Sequence, residues 1–278
     1  MCIGFIKLGK SSDRYKLILL NNRDEDLNRE TMKLHWDEEK NILGGTDMFD
    51  KCQGTWLAIN KHGKIGMLLS ITQPKNEKSD NAPSRGQICH QYLNSENSSE
   101  FLENLVESSQ RFNGFQFLGI EQNSESGEYE EIRSVANKYV ESVEIRRDSE
   151  AIQVYSNSPP NIPFKKVVAG KIEFEKCLED SENMEKSEIF EALIKHVATN
   201  KERHLPDDQI ALQTGRMQLL YAPISAIFVE YPTYTVQYGT RCHTVMIVDK
   251  NDRVTVFERR RENGEWLDEI EEFEIAKS

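Results

Sequence analysis

The chain has 278 residues, 37% of them hydrophobic and 29% charged, with a formal net charge of -12. That length can bury a large core as one unit, 1–278. The acid excess, with a pI near 5.1, excludes a generic nucleic-acid or anionic-membrane surface, because either needs a basic patch.

Residues 2–8 and 14–20 ("RYKLILL") read as two strands joined by a "GKSSD" turn, so the chain opens with a hairpin. Residues 55–60 and 64–71 form a second hairpin around "KHG". A polar loop spans 72–84, and Ser84 is placed to cap a helix over 85–93. A helix over 99–109 follows, with Phe101, Leu102, Leu105 and Val106 on one face. Strands are expected at 114–120, 130–135, 140–146 and 151–156, then helices at 164–179 and 187–199. The proline tract "SNSPPNIPF" at 156–164 cannot be a central strand or a helix. Strands return at 224–230, 241–248, 253–258 and 267–274. Strands at both ends with helices between them indicate a layered α+β fold.

The five cysteines show no CxxC spacing, and no zinc-ligand pattern accompanies them. A reducing compartment suits that usage. The run 2–8 is too short for a secretory signal and contains Lys7, and no stretch is long enough for a membrane helix. The expectation is a cytoplasmic protein without an integral membrane segment. Lys7, Lys10, Arg14 and Lys16 give the first 20 residues some character of an organelle transit segment, but a strand pattern fills the same residues.

Cys2 is the residue of chemical interest. Removal of Met1 would make it the first residue, with a thiol and a free α-amine on adjacent atoms; the alternative is the start of a buried strand. The second strand ends in "LLNNRDED" (19–26), and a hairpin returns that end to Cys2. An arginine there lowers a thiol pKa, and an aspartate orients an α-amine. Arg23 and Asp24 should face opposite sides, because strand neighbours alternate.

These motifs resemble the NRDE family, also called the transport and Golgi organisation protein 2 family. "MC" and "NRDE" are followed in order by "GTWLAIN" (54–60), "SRG" (84–86), "FNGF" (112–115), "YSNSPPNIPFKKV" (155–167), "YGTRCHTVMIVD" (238–249) and "FERR". That family is similar in pattern to N-terminal-nucleophile hydrolases of the bile-salt and penicillin-V acylase branch. The resemblance implies a four-layer αββα sandwich and a catalytic set at Cys2, Arg23, Asp24, Asn157 and Arg241. Two positions depart from it. Ile71 in "LLSIT" stands where relatives carry an asparagine near the oxyanion hole, and Phe164 stands where tryptophan is expected.

The family is linked to haem trafficking, so the resemblance implies haem as cargo, with cytoplasmic, mitochondrial or Golgi association. His243 and Arg241 lie two apart on a strand, which would set both on one face with Val245 and Ile247 as an apolar wall. Cys2, Cys242 and His243 are candidate iron ligands, although any one histidine is more often structural. Cys52, Cys89 and Cys177 read as core or surface residues, and His35, His62, His90, His196 and His204 lack metal spacing. Three functions follow: a haem chaperone, a Cys2-dependent amidohydrolase or thioesterase on a small acyl substrate, and an indirect role in Golgi organisation. The Ile71 departure favours binding over catalysis.

Overall fold

Two antiparallel sheets stack face to face in the computed structural model, which describes residues 1–37, 39, 41–181, 183–231 and 236–276. The strands are β1 (Ile3–Leu8), β2 (Tyr15–Asp26), β3 (Thr31–Asp37), β4 (Ile42–Asp47), β5 (Leu57–Asn60) and β6 (Ile65–Leu69). Helices α1 (Gln87–Leu93) and α2 (Ser98–Ser108) follow, then β7 (Gln116–Ile120), β8 (Ile132–Ala136), β9 (Arg146–Asp148) and β10 (Ile152–Ser156). Next come α3 (Lys165–Asp180), α4 (Lys186–Leu193) and α5 (Asp208–Thr214), before β11 (Tyr238–Asp249), β12 (Arg253–Glu262) and β13 (Glu265–Glu274) close the chain. One sheet has the order β10-β1-β2-β11-β12-β13, the other β3-β4-β5-β6-β7-β8-β9.

Three apolar cores define four layers. Phe174, Leu178, Ile189, Phe190 and Leu193 of α3 and α4 pack on Phe5, Leu20, Val245 and Ile247 of the six-stranded sheet. Ile6, Leu17, Leu19 and Met246 on its other face meet Leu43, Ile59, Met67 and Leu118 of the seven-stranded sheet. Ile88, Tyr92, Leu102 and Leu105 of α1 and α2 cover Phe117 and Val135 on the far side. The αββα sandwich is therefore the architecture. β2 lies between two partners with both faces covered, which is why "YKLILLNNRD" is buried throughout.

Several local features have clear causes. Asn97 caps α2, its side chain accepting from the N–H groups of Ser99 and Glu100 at 3.0 and 3.2 Å. Gly54 and Gly86, from "GTW" and "SRG", touch backbone to backbone; a Cβ on Gly54 would lie 2.4 Å from the Gly86 Cα.

Four elements differ from the sequence reading. The strand expected at 140–146 is a short one at Arg146–Asp148; Val143 and Ile145 pack under the helical layer instead. Residues 224–230 are a 3-10 turn (Ala222–Ser225) and an extended segment, not a strand. Their backbone is satisfied outside any ladder: Phe228 N–H donates to Asn200 O at 2.7 Å and Val229 N–H to Thr240 Oγ1 at 2.8 Å. Ser84 does not cap α1, which begins after Gly86; its hydroxyl bonds the Asp50 carboxylate. The helix expected to run through 199 ends its regular part at Leu193 and continues as a π turn over Ile194–Ala198.

Candidate functional site

Strand register places the N-terminus. Ile3 lies opposite Asn22 of β2 and Ser156 of β10, and Asn22 in turn lies opposite His243 of β11. One row further, Arg23 pairs with Cys242. Cys2 lies just beyond the last paired residue of β1, its carbonyl accepting from Ser156 Oγ at 2.7 Å, so it stands beside this row.

Alternation divides this row between two faces. The Cys2 side chain packs with the core between the sheets, and its Sγ meets the N–H of Asp24 at 3.3 Å. Arg23 lies on that same side, its guanidinium 3.9 Å above the Trp56 ring, and it forms no hydrogen bond or ion pair among the described residues. Asp24 turns to the helical side. Its Oδ1 accepts from Thr240 Oγ1 at 2.6 Å, and its Oδ2 pairs with the Met1 α-ammonium at 3.0 Å.

Met1 itself is held at every polar atom. The α-ammonium donates to Tyr238 Oη at 2.6 Å, Lys166 Nζ donates to the Met1 carbonyl at 3.0 Å, and Thr72 Oγ1 donates to Sδ at 2.8 Å. Lys166 is wholly buried; its second acceptor is Ala226 O at 3.0 Å. Burial pushes the Lys166 ammonium below its ordinary range and the Tyr238 hydroxyl well above its own. Burial also pushes the Cys2 thiol up, opposed by the nearby α-ammonium.

The remaining expected residues are placed as follows. Asn157 reaches Ser70 O through Nδ2 at 2.6 Å, and its backbone carbonyl accepts from Thr72 N–H and Gln213 Nε2. Ile71 is buried and brings no polar group. Arg241 sits in a bulge between Thr240 and Cys242, and its guanidinium donates to the carbonyls of Asp26 and Arg29 at 2.8 and 2.6 Å. It is a clamp on the loop that leaves β2, two strands from Cys2.

The bulge also overturns the expectation that Arg241 and His243 share a face. His243 points to the helical layer, opposite to Cys2, so no common ligand set joins the two. Val245 and Ile247 are not a ligand wall either; both are fully buried against α3 and α4. His243 instead lines a cavity of about 450 Å³ with Ile194, Phe228, Arg259 and Trp266. Trp266 stacks on its imidazole at 4.9 Å. Asn22 donates through Nδ2 to Ala198 O and Ile227 O, so its Oδ1 must accept from His243 Nδ1–H, at 2.7 Å. Nε2 then carries the lone pair and has no hydrogen-bond partner among the described residues. Burial lowers the His243 pKa to about 3, so the ring is neutral.

Lys166, Tyr238, Trp56 and Thr72 lie within the quoted motifs, but nothing in those motifs singles them out. Nothing in "FKKV" marks one lysine as buried beneath the N-terminus; only the packing of α3 does.

The fold is that of the N-terminal-nucleophile hydrolases: a conjugated bile acid hydrolase of Clostridium perfringens, solved as its C2A mutant, superposes with a TM-score of 0.51 over 100% of this chain and 98% of that one, at 11% identity. The chain belongs to the Transport and Golgi organisation 2 family, whose model matches residues 1–263. The Transport and Golgi organization 2 homolog of Mus musculus is 31% identical over 291 residues, covering 99% of each chain. The Homo sapiens homolog is 30% identical over 272 residues, 93% of this chain and 92% of that one. Among the described residues no helix is long and apolar enough to cross a membrane, and no group of three or more His, Cys, Asp or Glu side chains is arranged to hold a metal ion.

Proposed function

We propose that this protein is a haem carrier built on a hydrolase-type fold, with the cavity at His243 as its binding place. The observation that carries this reading is the state of His243: neutral, its Nδ1–H fixed by Asn22, its Nε2 uncommitted, inside an aromatic slot. A second hydrogen bond that fixes the tautomer is the usual support of a metal-ligating imidazole, and histidine is a common axial ligand of haem iron. Phe228 and Trp266 supply flat apolar surface. Lys201 and Arg259 stand at the rim, each already paired with carboxylates of Glu230, or of Glu191 and Asp268. The slot therefore offers iron and ring recognition before propionate capture. The test is titration of the purified protein with haem. A saturable Soret band is expected in the wild type and in Cys2→Ala, and its loss in His243→Ala and Trp266→Ala. No saturable band, or one that survives both slot variants, overturns the reading.

A second reading is favoured by the row at the N-terminus. With Met1 removed, the Cys2 α-amine can take the thiol proton. Sγ then adds to an acyl carbonyl, the amine or thiol leaving group departs with that proton, and water hydrolyses the thioester. This would make the protein an amidohydrolase or thioesterase. Turnover of acyl-amide and acyl-thioester substrates by a chain beginning at Cys2, absent in Cys2→Ala, would support it; no turnover would dismiss it. The Golgi role in the names of relatives would follow indirectly from either activity.

A further inference from the structure

Met1 is treated by this fold as a ligand is treated by a binding site. It is a terminal residue, yet it is buried, and its three polar atoms each meet a different side chain at hydrogen-bond distance. The α-ammonium has a carboxylate and a phenolic oxygen, Asp24 Oδ2 at 3.0 Å and Tyr238 Oη at 2.6 Å. The carbonyl oxygen has a wholly buried ammonium, Lys166 Nζ at 3.0 Å. The thioether enters the apolar core that includes Ile3, Phe5 and Phe164. A buried lysine is costly to maintain, and here, among the described residues, it serves two carbonyl oxygens, of which one belongs to Met1.

We propose that this seat is a subsite for an α-aminoacyl group with an unbranched apolar side chain, and that Met1 occupies it as an internal stand-in for such a ligand. The inference rests on the second reading above, since the seat opens only when Cys2 is the first residue. Three features of the seat select the class. Asp24 and Tyr238 require a free α-amine on the ligand. Lys166 requires a carbonyl one carbon away from that amine. The apolar end fits a methionine-sized chain. Position relative to the thiol follows from covalent geometry: the Met1 carbonyl carbon and Cys2 Sγ are joined through only N, Cα and Cβ, so a carbonyl at this place lies beside the sulfur. Lys166 thereby supplies a donor to the carbonyl oxygen where Ile71 supplies none and where Asn157 Nδ2 is bound to Ser70 O. Each carboxylate oxygen accepts more than one hydrogen bond, so Asp24 Oδ2 can hold both the liberated Cys2 amine and the ligand amine.

The experiment uses the full chain released from a fusion by a protease whose cleavage leaves Cys2 first, verified by intact mass. L-Methioninamide is titrated by calorimetry, with N-acetyl-L-methioninamide as the counterpart lacking a free amine. Expected results are saturable binding of methioninamide, at least tenfold weaker binding of the acetylated compound, and no binding to the chain that retains Met1. Lys166→Met and Tyr238→Phe should each weaken methioninamide at least tenfold; the second variant keeps the test decisive where the first fails to fold. Equal affinity for the acetylated compound overturns the proposal. So does absence of binding to the chain that begins at Cys2, which would mean that the freed Cys2 amine takes Asp24 for itself. Binding without hydrolysis of methionyl thioesters leaves the seat standing and removes the acyl-transfer reading. Hydrolysis of acyl thioesters that lack an α-amine, without methioninamide binding, does the reverse.

Discussion

Arg23 and Asp24 are adjacent on β2 and serve opposite faces of one sheet. The guanidinium lies over Trp56 in the space between the sheets, and the carboxylate turns to the helical side to hold Met1 and Thr240. Their effects on the Cys2 thiol are also opposed: Arg23 lowers its pKa and Asp24 raises it, within a net upward shift led by burial.

Substitutions at the two positions should therefore separate. In the chain that retains Met1, Asp24→Asn leaves a buried ammonium without its acid, a loss of about 3–5 kcal/mol. Arg23→Met removes a cation–π contact of about 0.5–2 kcal/mol and keeps much of the side-chain volume. Urea midpoints give the stabilities. Alkylation rates of Cys2 against pH, in a Cys52→Ser background, should move to higher pH in Arg23→Met and to lower pH in Asp24→Asn. A shift of both in one direction would refute this account.

Cysteine labelling should be selective. Cys52 is exposed, whereas Cys89, Cys177 and Cys242 are buried and each of those three thiols is pushed up by burial. Near neutral pH, iodoacetamide should modify Cys52 first, read by peptide mass mapping. Urea should release the others together.

Acid stability should report His243. Its folded pKa, about 3, lies below the ordinary 6.5, so the unfolded chain binds the proton more readily. Its contribution is complete above pH 6.5 and is lost as pH falls through that value toward 3. A difference of that size corresponds to roughly 4–5 kcal/mol. His243→Gln, which cannot titrate, should show a flatter decline of unfolding free energy between pH 6.5 and 4 than the wild type. Parallel declines would mean that other groups govern acid unfolding.

The glycine pair offers a packing test. Gly54→Ala forces a methyl into the Gly86 backbone and should cost about 1–3 kcal/mol or more. Gly66→Ala meets its nearest neighbour, Phe117, at 3.5 Å and should cost less. Thermal unfolding midpoints of the two variants make the comparison.

Long apolar runs were readable as strands because burial on both faces leaves little else: "YKLILL" and "KIGMLL" lie in β2 and β6. β3 and β4 carry a weaker signal, with charged residues and two glycines in "TMKLHWD" and "ILGGTD". The nearness of Cys2 to Arg23 and Asp24 follows from hairpin geometry alone. The relation of Arg241 to His243 does not, because one extra residue in the ladder reverses the alternation and no residue type announces it. Lys166 and Tyr238 reach the N-terminus from distant elements, and chain order is silent on such convergence.

β13 ends the six-stranded sheet, with no further strand paired to its outer edge among the described residues, a template along which a second copy could zip. Its sequence, "EWLDEIEEFE", answers that hazard with acids and no base. Two molecules meeting edge to edge bring like charges together, so the open edge is guarded at neutral pH. The guard is the charge itself, and replacing those acids with their amides would turn the same edge into a surface for self-association.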